Sequence, residues 1–239
     1  MVLKAVLFDF NGVIINDERI HQSLIEQLLI EENLRPLSGE YRRICLGRSD
    51  RTCLRDLFTG RGRVVTEGML DQLMARKAAA YLQRLSTLEK LPIYPGLSDL
   101  IFQLRAAKLT MAVVSGALRS EVELVLQRAK LASYFTLIVA GDDIPNSKPD
   151  PSGYLLAVER LAAAIPQLDL QAGECLAIED TPAGMQAAKA AGMQVVGVAN
   201  TLPLHMIQRQ SNWAVDYLND LELERIQHIY ARMMPQNPD

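Results

Sequence analysis

Hydrophobic positions along the chain follow two rhythms. Lys4 to Phe8 (KAVLF) is a short apolar run suited to a buried parallel strand, and it ends in a polar turn at Asp9 to Gly12. From Asp17 to about Leu34, Ile20, Leu24, Leu28 and Leu29 recur at helical spacing. Leu70, Leu73, Met74, Tyr81, Leu82 and Leu85 repeat it further on. No alternating strand pattern stands out between about 16 and 90. Past Pro92 short β-rich runs appear at Thr110–Val114, Leu137–Ala140, Cys175–Ile178 and Val195–Val198. Amphipathic stretches near 96–107, 118–130, 151–164 and 182–191 separate them. Strands alternating with helices of that length predict right-handed βαβ units. The expected fold is therefore α/β, a doubly wound parallel sheet with an all-helical domain inserted after the first strand. The boundaries are 1–15 and 92–239 for the core and 16–91 for the helical cap, with Pro92, Pro95 and Gly96 marking the return.

Composition changes this picture little. The 239 residues are 49% hydrophobic and 22% charged, and the net charge of −3 offers no footprint for nucleic acid or an anionic membrane. No apolar run approaches the ~20 residues of a membrane span, and the first ten residues do not fit a signal peptide. Cys45, Cys53 and Cys175 cannot all pair, and none has metal-ligand spacing to a histidine. A secreted disulfide scaffold and a zinc finger are excluded. The expectation is a soluble cytoplasmic protein, a monomer with a dimer as the alternative.

In a doubly wound sheet, chemistry gathers at the carboxyl ends of the strands. The first strand runs into Asp9-Phe10-Asn11-Gly12-Val13, and the second into Ser115-Gly116. The third leads to Lys148 before Pro149, and the fourth ends in Glu179-Asp180-Thr181. This is the composition of a phosphate site with a divalent cation. Asp9 and Asp180 supply hard oxygen ligands for Mg²⁺. Ser115 and backbone N–H groups can hold phosphate oxygens, and Lys148 brings a positive charge. A carboxylate beside Mg²⁺ can also act as a nucleophile. Taken singly, Asp9 also fits a turn, Lys148 a solvated loop, and Ser115 or Asp180-Thr181 a helix N-cap. Joint placement after successive strands is what favours chemistry.

These residues, with the stretch IEDTPAGMQAAKAAG from Ile178 to Gly192, resemble the haloacid dehalogenase superfamily over nearly the whole chain. Within it the sequence is most similar to the beta-phosphoglucomutase-like phosphatases with a small helical cap. The resemblance implies that Asp9 is nucleophile and Mg²⁺ ligand, and that Ser115 with Gly116 binds phosphate. It also implies that Lys148 neutralises the nucleophile and phosphate, that Asp180 and Glu179 serve the metal, and that Asn11 offers it a backbone carbonyl. The implied partner is a small phosphorylated metabolite, a sugar phosphate or a phosphoglycolate-like acid. Position 11 departs from the pattern, because most of these phosphatases carry an aspartate there for proton transfer. General acid–base catalysis is worth ~10²–10⁴ in rate. The chain therefore reads as a phosphatase for leaving groups that need little protonation, or as a phosphometabolite-binding or regulatory protein that kept the pocket. A phosphoglucomutase fits less well, since it leans on that acid–base group. No lysine lies between Ala5 and Arg76, which speaks against carbon–phosphorus cleavage, and dehalogenation would leave Glu179-Asp180 without a purpose.

The cap is expected to choose the substrate. His21 lies twelve residues after Asp9, where the resemblance places a histidine near the entrance, and as a lone helical histidine it also fits packing. Cys45-Leu46-Gly47-Arg48-Ser49 resembles the cap loop that dips into the core pocket, with Gly47 at the matching position. From Arg42 to Arg63 seven arginines face two acids, a local +5. Arg48 and Arg51 are the first expected to face a phosphate or carboxylate, against a solvated helix face for the rest. Asn16-Asp17 departs from the family's usual hinge pair. Trp213, His205 and His228 read as packing or surface, and Met233-Met234 as core or a partner face.

Overall fold

The opening apolar run forms strand β1 (Ala5–Phe8), whose side chains alternate between the two faces of a sheet. The structure, a computed structural model, describes residues 2–232. After β1 come four helices, α1 (Glu18–Glu31), α2 (Glu40–Ile44), α3 (Asp50–Thr59) and α4 (Glu67–Thr87). The chain then continues as α5 (Leu97–Ala106), β2 (Thr110–Val114), α6 (Arg119–Arg128), β3 (Leu137–Val139), α7 (Ser152–Ala164) and β4 (Cys175–Glu179). It closes with α8 (Pro182–Ala190), β5 (Gln194–Val198), α9 (Leu204–Ile207), β6 (Trp213–Val215) and α10 (Leu223–Arg232). Met233-Met234 lies outside the described residues.

All six strands are parallel, in the order β3-β2-β1-β4-β5-β6. Val6 and Phe8 pack with Leu100 and Leu104 of α5, Val122 and Val125 of α6 and Tyr230 of α10. Ala5 and Leu7 join Tyr154 and Leu161 of α7 and Met185 and Ala188 of α8 on the other face. This is the doubly wound α/β arrangement that the strand–helix alternation predicts. β6 is an addition to it. Trp213 begins a three-residue, half-buried edge strand whose pattern is too short to stand out.

The stretch between β1 and α5 is helical, and α2 and α3 fill its arginine-rich part. Ser49 caps α3 by accepting from Thr52 N, and Thr66 caps α4 by accepting from Met69 N. Ile25, Leu28 and Leu29 of α1 meet Leu54, Leu57 and Phe58 of α3 and Leu70 and Leu73 of α4 in a cluster separate from the sheet's two. A fully buried side chain of this kind contributes about 1.5–3 kcal/mol. Two backbone hydrogen bonds cross the junction, Asn16 N to Pro92 O at 2.8 Å and Tyr94 N to Ile14 O at 3.1 Å. Two of the three cysteines pair, since Cys45 and Cys53 form a disulfide across the α2–α3 turn and Cys175 stays free and buried. No helix among the described residues is long and apolar enough to cross a membrane.

Candidate active site

Strand register sets the site. Phe8 is paired with Val113 on one side and Ile178 on the other, so the residues that follow β1, β2 and β4 emerge together at one sheet edge. Asp9, Ser115, Glu179 and Asp180 meet there, all buried. Lys148 reaches across from the segment after β3. Its Nζ lies 2.7 Å from Asp9 Oδ1 and 2.6 Å from Glu179 Oε1, and it also donates to Val114 O at 3.0 Å.

Charge does not balance in this corner. Burial works against the Lys148 ammonium, but the carboxylates of Asp9 and Glu179 outweigh it and hold the group above its usual range. Burial, reinforced by Asp9, pushes Glu179 up to about 7, although Lys148 and Tyr154 pull it back. The same burial, with Asp9 and Glu179 close by, pushes Asp180 well above the carboxylate range. Glu179 Oε2 and Asp180 Oδ1 are buried without a hydrogen-bond partner. One oxygen from each of Asp9, Glu179 and Asp180 lies within 4.8 Å of the others. Three carboxylates against one lysine, with two orphaned oxygens, suit a hard divalent cation. Gly12 completes the cradle: it sits at φ +82°, and a Cβ there would collide with the Asp180 carboxylate.

The helical insertion closes a cleft of about 110 Å³ over this edge. Asp9, Asn11, Gly116, Lys148 and Asp180 line it from the core, and His21, Gly47 and Arg48 from the insertion. At Gly47, φ is +72° and the chain passes so close that a Cβ would lie 3.0 Å from Thr181 Cγ2. Ser147 Oγ reaches Ser49 Oγ at 3.3 Å beside it. Thr181 itself caps α8 through Gly184 N. Ser115 is buried at the same edge, where its Oγ accepts from Ala117 N at 3.0 Å.

Arg51 is a correction. Its guanidinium turns away from the cleft and pairs with Glu67 (2.6 Å) and with Asp71, at the surface of α4. Arg55 also takes Glu67, and Arg61 takes Glu40, so much of the +5 stretch is spent within the insertion. Even Arg48, which does line the cleft, donates to Asp56 Oδ2 at 2.7 Å and to Ile44 O at 3.0 Å.

Asn11 belongs to a buried chain of polar groups. Its Nδ2 donates to Asp17 Oδ2 at 2.9 Å and lies 3.1 Å from His21 Nε2. Lys77 Nζ sits 2.6 Å from both His21 Nδ1 and Asp50 Oδ2. A lysine ammonium only donates, so Nδ1 accepts and the imidazole proton sits on Nε2, where it serves Asp17 Oδ2 at 3.1 Å. Tyr81 also donates to that carboxylate and stacks on the His21 ring. Burial opposes the Asp17 charge, but His21, Tyr81 and Asn11 together hold its carboxyl below the usual range. Sequence reading left out Lys77, Tyr81 and Asp50 from this chain, and Glu18, Tyr41, Glu121 and Thr201 from the lining. Each sits within helical spacing or a loop that gives no chemical signal by itself.

Residues 6–198 match the model of the haloacid dehalogenase-like hydrolase family, a span that includes Asp9, Ser115, Lys148, Glu179 and Asp180. The chain belongs to that family. The hydrolase is 29% identical to a phosphoglycolate phosphatase of Pseudomonas putida over 82% of its own length and 69% of the relative's. It is 30% identical to the beta-phosphoglucomutase of Bacillus subtilis over 84% and 86% of the two chains. The crystal structure of a beta-phosphoglucomutase from Clostridium difficile superimposes with a TM-score of 0.80, covering 97% of this hydrolase and 98% of that chain at 23% identity. That last likeness speaks for the fold.

Proposed function

We propose that the hydrolase is a phosphatase of small phosphorylated metabolites, Mg²⁺-dependent, working through a phosphoryl group held on Asp9. The observation that carries this reading is the buried, orphaned carboxylate pair Glu179–Asp180 beside Asp9, with Lys148 bridging Asp9 and Glu179. Family membership and the names of the two relatives agree with a phosphate ester as substrate.

Asp9, Glu179, Asp180 and the Asn11 backbone carbonyl would hold the ion, which when bound neutralises phosphate charge and polarises the phosphorus. A carboxylate oxygen of Asp9 attacks phosphorus, and the bond to the ester oxygen breaks, its electron pair leaving with that oxygen. The Ser115 hydroxyl and the Gly116 N–H hold phosphate oxygens, and Lys148 offsets the added charge. Water then attacks the phosphorus of the aspartyl phosphate, inorganic phosphate leaves, and the Asp9 carboxylate is restored. Asn11 cannot release a proton to the departing oxygen. The arrangement therefore favours esters whose leaving oxygen needs little protonation, such as anomeric sugar phosphates or aryl phosphates.

The test is phosphate release from sugar phosphates, phosphoglycolate and an aryl phosphate, with and without added Mg²⁺. Wild type is expected to release phosphate only with the ion, and Asp9→Asn to lower kcat/KM by about 10³-fold or more. Silence of wild type on every ester, with Mg²⁺-dependent binding retained, would overturn turnover in favour of a phosphometabolite-binding protein.

A further inference from the structure

Two further carboxyl groups that line the cleft, one from the core and one from the insertion, have unused acceptors. Glu121 projects from the first turn of α6 in the core and is 2% exposed. One of its oxygens, Oε2, accepts from Leu118 N at 3.2 Å and closes that helix turn, while Oε1 is buried with no partner. Glu18, on the first turn of α1, lines the opposite wall. Its Oε1 is also buried and unpartnered. Burial raises both carboxyls, and the charge of Lys77 pulls both back toward ionisation. A buried oxygen of this kind is costly until a donor reaches it, and the cleft is where a donor can enter.

The cations here are already engaged. Among the described residues lining the cleft, the lysine and arginine are Lys148, on the phosphate side, and Arg48, held by Asp56 and Ile44. Lys77 is committed to His21 and Asp50. A substrate carboxylate reaching these groups would meet Glu18, Asp50 and Glu121 without a free partner. Hydroxyl groups would satisfy the orphaned oxygens directly.

We propose that Glu121 and Glu18 form a specificity pair, one from each wall, that accepts hydrogen bonds from hydroxyls on the alcohol part of the substrate. Among esters with similar leaving oxygens, the phosphates of neutral polyols or sugars are preferred, and a carboxylate-bearing ester such as phosphoglycolate is disfavoured. This rests on the phosphatase reading above. A site built to pair with substrate hydroxyls discriminates strongly against analogues without them, because its buried groups then stay unpaired.

The experiment compares kcat/KM for hexose phosphates, glycerol phosphate, phosphoglycolate and phosphoethanolamine in wild type, Glu121→Gln and Glu18→Gln. Glu121→Gln keeps an amide oxygen for Leu118 N and puts a donor where the free acceptor was, so the helix cap survives. Wild type is expected to favour a polyol phosphate over phosphoglycolate by about 100-fold, and each variant to narrow that ratio by about tenfold or more. Equal loss on all esters, as a purely structural role would give, overturns the proposal. So does a wild-type preference for phosphoglycolate or phosphoethanolamine. If no ester releases phosphate, the phosphatase reading fails, and calorimetric binding of the same esters with Mg²⁺ decides the pair separately. Tighter polyol phosphate binding that Glu121→Gln removes supports it, and equal affinities overturn it.

Discussion

Asn11 and Asp17 are matched residues. The amide donates to a carboxylate that also accepts hydrogen bonds from His21 and Tyr81, so position 11 is fitted to a buried acceptor. Writing aspartate at position 11 places two carboxylates 2.9 Å apart in a buried site, where they cannot both ionise. Asn11→Asp alone is expected to lose about 1–3 kcal/mol by urea unfolding at pH 7. Adding Asp17→Asn should recover most of it, a coupling that separate sites would not show. The same pairing bears on activity, since an aspartate at position 11 becomes a free proton carrier only when position 17 is neutral. Single residues also show where the sequence is mute. Asp9, Lys148 and Asp180 were legible because each follows a strand. Glu121 was not, because a glutamate three residues into a helix looks like any other until its orphaned oxygen is seen. Arg51 misled for the complementary reason, as a run of arginines says nothing of which acids lie beside it.

At the scale of elements, the segment after β3 has to deliver Lys148, and Asp143 anchors it. Asp143 Oδ2 accepts from Ala140 N at 2.8 Å and from Arg119 at 2.5 Å, and its other oxygen meets Arg160 of α7 at 3.2 Å. Burial opposes its charge, but the Ala140 N–H, Arg160 and Arg119 outweigh it and lower its folded pKa. A depressed carboxyl stabilises the fold above its unfolded value of about 3.9, and that contribution fades as pH falls through the folded value. Asp143→Asn should therefore cost about 1 kcal/mol at pH 7, and the difference in Tm from wild type should shrink below about pH 4. The five strands read from sequence are buried apolar runs with turn residues behind them. β6 escaped because an edge strand of three half-buried residues carries almost no alternation.

The whole molecule is a sheet with a helical insertion folded over its reactive edge. The cleft between them is lined from both sides, by Asp9, Lys148 and Asp180 of the core and by His21, Gly47 and Arg48 of the insertion. The pivot has two backbone links, at Asn16–Pro92 and Ile14–Tyr94, and the far side rests on Gly47 against Thr181. Gly47→Ala adds a Cβ into that contact at a positive φ. It should raise KM severalfold while lowering Tm by only about 2–4 °C, which steady-state kinetics and thermal unfolding would separate.

The Cys45–Cys53 bond ties that same loop into a short covalent ring, with Gly47, Arg48 and Ser49 inside it. By loop-closure entropy alone, such a ring is worth roughly 2–3 kcal/mol. It also makes the protein a reporter of its surroundings. Unfolded and alkylated without reductant, an oxidised chain should carry one adduct, on Cys175, and a reduced chain three. Intact mass of protein taken straight from its native source would then show whether the loop works as a ring or as an open strand. If both masses appear, the thiol poise of the compartment sets the covalent state of this loop.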